Sequence, residues 1–237
     1  TVGIYNTAVG RYAMETNVDG SRNTAVGYGA LRTMEPSSAS DNYNTGLGYA
    51  AGSSITTGNY NTAVGGNTMA ALTTGTGNTA VGTIALDAIT TSNNCTAVGH
   101  EALTNATGGN GNTSIGKGTM TADVTGSNNT AVGYTALQAI TSASNSVAVG
   151  HNALVVNTTG KDNTAVGVES MNANVAGADN VAIGFRSQYT GNGQDYCVSV
   201  GWKSLNDITT GQGNIAMGYD GGRAITTGND NVAIGIY

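Results

Sequence analysis

The sequence predicts an all-β fold: a parallel β-solenoid or β-roll built of 17-residue coils. Three observations predict it. The first is a repeated string. Asn61-Thr62-Ala63-Val64-Gly65 recurs at 6–10, 23–27, 78–82, 129–133 and 163–167. Altered copies fill the gaps, among them Asn44–Gly48, Asn112–Gly116, Asn180–Gly184 and Asn231–Gly235. The second is the spacing. With each closing glycine as an anchor, from Gly10 to Gly235, successive anchors are 17 residues apart, except for 21 between Gly27 and Gly48. The third is the constant phase of the apolar residues within the period. A short fixed period marks stacked repeats, each too small to bury a core alone. One repeat domain over 1–237, of about 14 coils, is therefore expected.

Positions are counted from each anchor, which is position 0. The first element is the strand before it. Position −1 is Val, Ile, Leu or Met in every copy, and position −3 exchanges Thr with Val and Ile. Position −2 is Ala, with Gly46, Ser114 and Ser199 as the exceptions. This alternation has the period of a strand. Placing its large residues inside gives a coil filled by −3 and −1, with the small −2 column facing a close neighbour. On that assignment Val132→Asp buries an unpaired charge.

Beyond the anchor, position +1 is rich in rings: Tyr28, Tyr49, Tyr134, Phe185, Trp202 and Tyr219. Position +3 is small, +4 is mostly Leu or Met, and +7 holds Ile55, Leu72, Ile89, Ile140, Ile208 and Ile225. Too few residues separate the glycines for a stable helix, so a second short strand is expected, with +4 and +7 inside. Thr pairs such as Thr73-Thr74 then lead into Gly at +10, followed by Asn and Asp. These supply turn chemistry. Stacked at ~4.8 Å per coil, the repeats would form a rod roughly 65 Å long. The insertion between Gly27 and Gly48 holds the only proline, Pro36, and reads as a surface bulge.

Composition narrows function. Charged residues are 9% of the chain and net charge is −6. The eight Lys and Arg are scattered, which excludes a phosphate-binding stripe and hence nucleic acid as partner. No apolar run approaches the ~20 residues of a membrane-spanning helix. The chain opens in mid-repeat, at Thr1-Val2-Gly3, and reads as a segment of a longer fibre. Cys95 and Cys197 share position −4 and lie six coils apart, roughly 29 Å in such a rod. That excludes a bridge between them.

The strings Asn-Val-Ala-Ile-Gly at 180–184 and 231–235, and Ser146-Val147-Ala148-Val149-Gly150, resemble the head repeat of trimeric autotransporter adhesins. Asn-Thr-Ala-Val-Gly-Tyr-x-Ala-Leu at 129–137 is similar to repeats in phage tail and surface fibres. The resemblance implies a left-handed parallel β-roll with three chains side by side, on a cell surface or a virion tail. The small −2 column suits such close approach.

Catalytic chemistry is not apparent. His100 and His151 are three coils apart, too far for one site. Asp162 and Asp179 stack in adjacent coils, where a bridging cation or plain solvation are the two options. No metal, cofactor or catalytic residues are assigned. The expected function is an extracellular structural and adhesive fibre segment, a homotrimer that meets a host-surface receptor or glycan. The contact candidates are Glu35, Pro36 and Asp41 in the bulge, and Tyr134, Trp202 and Tyr219 in the ring column. The alternatives are a tail-spike enzyme acting on polysaccharide and an ice-binding solenoid. The latter would use the +8 column, Thr56, Thr73, Thr90 and Thr107.

Overall fold

The structure is a computed structural model and describes residues 3–36 and 40–236. It is a parallel β-solenoid, with no helix among the described residues. These residues form two compact units, Thr1–Lys117 and Gly118–Tyr237. The first contains β1 (Thr7–Val9), β2 (Gly20–Ser21), β3 (Thr24–Val26), β4 (Ser40–Asp41), β5 (Thr45–Leu47), β6 (Thr62–Val64), β7 (Thr79–Val81), β8 (Thr96–Val98) and β9 (Thr113–Ile115). The second contains β10 (Thr130–Val132), β11 (Val147–Val149), β12 (Thr164–Val166), β13 (Val181–Ile183), β14 (Val198–Val200), β15 (Ile215–Met217) and β16 (Val232–Ile234).

In each unit the three-residue strands stack in parallel, with identical columns in register. Thr62 pairs with Thr79, Ala63 with Ala80 and Val64 with Val81. In the second unit Val181 pairs with Val198 and Ile183 with Val200. The 21-residue coil keeps this register, since Thr24 still pairs with Thr45. Outside the main sheet, β2 and β4 form a short parallel pair.

The orientation of the strand is the reverse of the sequence reading. Ala25, Ala63, Ala97, Ala131 and Ala165, all at −2, are fully buried. The −3 and −1 columns face outward, and Val132 is half-exposed. The reason is the thinness of the coil. Leu31, Leu86, Leu103, Leu137 and Leu154 at +4 fill the interior together with Ile55, Leu72, Ile89 and Ile140 at +7. At −2 little room remains opposite them. A Cβ added to Gly46 would lie 2.9 Å from Leu31 Cγ. The interior assignments of +4 and +7 hold; those of −3 and −1 do not.

The expected second strand is absent as well. Positions +1 to +6 are turns in which alternate residues take positive φ. Leu86 at +4 has φ 55° and Glu101 at +2 has φ 58°. Such backbone costs non-glycine residues roughly 1–2 kcal/mol each. Stacking holds it: Leu86 N–H donates to Ala102 O at 3.0 Å, and Glu101 N–H to Thr83 O at 3.3 Å. The anchors have a stricter demand. Gly65 has φ +135°, and a Cβ there would meet Gly82 O at 2.6 Å. Conformation and the next coil both exclude a side chain.

Position −4 forms a buried amide ladder. Asn61 Nδ2 donates across its coil to Gly75 O at 2.8 Å. Its Oδ1 accepts the Asn78 N–H of the next coil at 3.0 Å. Asn163 repeats both bonds, to Gly177 O at 2.7 Å and from Asn180 N–H at 3.1 Å. Asn61 and Asn163 each tie one coil shut and to its neighbour, so these buried polar residues are satisfied, whereas Asn23 Nδ2 has no partner among the described residues. Cys95 and Cys197 occupy rungs of this ladder as buried free thiols.

Candidate interaction surface

The reversed strand creates the main surface feature of both units. Every strand presents its −3 and −1 side chains outward, and neither column contains a charged residue. The aliphatic members are well exposed for their type: 46% for Leu47, 38% for Val81, 41% for Ile183 and 41% for Met217. In the first unit the −3 column is Thr at every strand from Thr7 to Thr113, beside aliphatic −1. In the second unit Val147, Val181, Val198, Ile215 and Val232 take that column, with Thr130 and Thr164 as the exceptions. A contiguous, uncharged, outward sheet face of this kind marks an interaction surface.

The ring column at +1 flanks this face. Tyr28 stacks on Tyr49 with centroids 5.4 Å apart, and Tyr134 on His151 at 5.5 Å. Phe185, Trp202 and Tyr219 form a continuous stack, at 6.0 Å and 4.5 Å. Lys203 Nζ also lies 4.2 Å from the Trp202 centroid. Both faces of Trp202 are therefore occupied within the chain. The interior ring of the stack offers edges to a partner, whereas a sugar docks on ring faces. Tyr134 and Tyr219 remain exposed, with one ring neighbour each.

The bulge residues are engaged or hidden. Pro36 is buried. Glu35 Oε2 accepts the Val18 N–H at 3.0 Å, and Asp41 pairs with Arg22 at 2.9 Å. Ser37, Ser38 and Ala39 lie outside the described residues. Glu35, Pro36 and Asp41 belong to the first unit, and Tyr134, Trp202 and Tyr219 to the second.

The titratable groups are dispersed. Asp162 and Asp179 are both exposed, and Asp162 accepts a hydrogen bond from Asn145 at 3.1 Å. Glu169–Arg186, Glu15–Arg32 and Asp207–Arg223 pair across neighbouring coils. His100 stands beside Glu101 at 3.5 Å. The Thr hydroxyls at +8 are spent on the next coil: Thr73 Oγ1 donates to Thr90 O at 3.0 Å and Thr56 Oγ1 to Thr73 O at 3.2 Å. An apolar cavity of ≈ 270 Å³ opens in the second unit, lined by Arg223, Ile225, Ala233, Ile234 and Ile236 among others. It lacks the converging polar groups of a small-molecule site.

No protein-family model matches the chain, and a search of curated proteins finds no match. The outward face was missed by sequence reasoning because a strand pattern fixes alternation and not its parity. The signal that could have found it is the depth of the opposite wall. A coil whose +4 and +7 positions are already large has room only for Ala between them.

Proposed function

We propose that this chain is a passive extracellular fibre segment that associates side by side with identical chains, as a homotrimer, through the outward −3 and −1 columns. It sets reach and presents side chains for multivalent attachment to a surface receptor or glycan. The observation that carries this reading is the uncharged aliphatic face running along each unit. Covering such a face releases water at ~25 cal/mol per Å². A copy of the same chain has the same coil period, so its ridges match along the whole contact. Three copies turn their faces toward one axis and leave the bulge and the rings outside β13 to β16, such as Tyr134, at the periphery. Weak contacts repeated on three chains add avidity.

Light scattering on the purified chain tests the assembly. A mass of three chains is expected, and a folded monomer at all concentrations removes the proposal. Attachment of the parent particle tests adhesion: Tyr134→Ala should weaken it. The polysaccharide-cleaving alternative has a separate readout, since the purified chain should leave host polysaccharide uncut.

One observation favours a second reading. The first unit presents seven in-register Thr side chains beside an aliphatic column, a regular array suited to ordered water. This array replaces the +8 column as the ice-binding alternative. Thermal hysteresis by a monomeric chain would favour it. Self-association with no hysteresis favours the fibre.

A further inference from the structure

We infer that the self-association proposed above, on which this inference rests, is anchored by one patch of the second unit: the outward side chains of β13 to β16 and the rings beside them. In these four coils the −3, −1 and +1 positions are all apolar: Val181, Ile183 and Phe185 in one, Val198, Val200 and Trp202 in the next. Ile215, Met217 and Tyr219 follow, then Val232, Ile234 and Ile236. Among the described residues, no other coil combines an aliphatic −3 with an apolar +1. The first unit has Thr at −3 throughout, and Thr164 interrupts the second unit just before the patch.

The patch has the anatomy of an interface centre. Aliphatic columns adjoin a stacked aromatic ladder that holds the chain's only Phe and only Trp. Stacking fixes the rings, so little side-chain freedom is lost on contact. A polar rim borders it at +2, where Arg186 pairs with Glu169 and Lys203 lies over Trp202. Buried aromatic centres with polar rims carry most of the affinity in protein interfaces.

Size decides what the patch can do. Four coils at ~4.8 Å by about 13 Å of strand give on the order of 250 Å². A stable interface needs roughly 800 Å² per partner. The patch is therefore the centre of a longer contact, and the Thr-bearing face supplies extent with less driving force. The occupant is a second copy of this chain. An uncharged surface ridged at the coil period is matched by another with the same ridge spacing.

The test compares two pairs of outward substitutions in the full chain by sedimentation equilibrium. Val181→Thr with Val198→Thr gives two coils of the patch the Thr at −3 that the first unit carries. Val81→Thr with Val98→Thr makes a comparable change in the first unit. The patch pair should raise the self-association Kd at least about tenfold. The first-unit pair should raise it less than about threefold. Equal effects, or a larger one from the first-unit pair, overturn the inference and leave the trimer reading standing. A wild-type chain that stays monomeric overturns both. Circular dichroism checks folding, and should the Thr pair fail to fold, Ile183→Ala with Ile215→Ala replaces it under the same criteria.

Discussion

At the residue scale, the chain is decided by which side chains the thin coil can hold. Alanine at −2 and asparagine at −4 are both interior, and they do different work. Alanine leaves room for Leu at +4. Asparagine closes the coil through its amide. Cys95 sits on an asparagine rung and keeps only part of its function: its N–H still donates to Asn78 Oδ1 at 2.9 Å, but Sγ reaches Gly109 O at 3.5 Å as a weak donor. Cys95→Asn should therefore strengthen the ladder by about 0.5–1.5 kcal/mol, read as a higher denaturation midpoint. A lower midpoint would mean the thiol is there for packing. The thiols also set an alkaline limit. Burial pushes the Cys95 and Cys197 thiols above the ordinary value of 9.0. The unfolded chain then releases thiol protons at lower pH than the folded one. Their contribution is complete below the unfolded value and is lost as pH climbs through the folded one. Stability should fall above about pH 9, and the fall should shrink in a variant with both cysteines replaced by Asn.

At the element scale, the period, the strand and the anchor glycines were legible in the sequence, and the parity of the strand was not. The repeat of Asn-Thr-Ala-Val-Gly locates every strand. It cannot say which face of the alternation is inside, because Thr, Ala and Val are each compatible with either. The second half of the coil was misread for a different reason. Met14, Leu31 and Leu86 sit at positive φ, where such residues are rare, so no local propensity signals the turn. Stacking against the next coil overrides it. The amide ladder was read as turn chemistry, since Asn before a strand suits both roles. The ring candidates were found, and the faces they were meant to offer are partly consumed by their neighbours. One coil departs from the pattern in a testable way. Gln188 takes the +4 Leu position, and Gln194 reaches into the space over Gly191, the +7 position that Ile208 fills in the next coil. Both amides are buried with no hydrogen-bond partner among the described residues. Gln188→Leu matches Met171 and Leu205 in the same column, and removing the unpaired amide should raise stability by about 1–3 kcal/mol. An unchanged midpoint in thermal or urea unfolding would show that the amide is satisfied in solution.

At the scale of the whole molecule, the chain places its apolar residues on two sides of each strand, and only one side is covered by its own coil. Adjacent residues of β10 report on the two sides separately. Ala131 faces the interior against the +4 and +7 columns, and Ala131→Leu adds three carbons where the coil has no space. Overpacking should cost about 1–3 kcal/mol of single-chain stability. Val132 faces outward, and Val132→Asp puts a carboxylate in half-exposed strand surface, at a cost of at most about 1 kcal/mol to the single chain. Its effect belongs to the assembly. In the proposed trimer, three faces turned to one axis would bring three such carboxylates together, and like charges opposed in an interface cost several kcal/mol. Val132→Asp should therefore yield a folded monomer at neutral pH. Added salt should restore association in part by screening. Acid should restore it more fully: mutual repulsion raises the carboxylate pKa values in the assembly above ~3.9, so protonation favours association as pH falls through that range. Circular dichroism and light scattering on both variants, across pH and ionic strength, read the two effects apart. If Val132→Asp destabilises the isolated fold as much as Ala131→Leu, the strand is turned the other way. If it leaves the association unchanged at neutral pH, the outward columns are not where the copies meet.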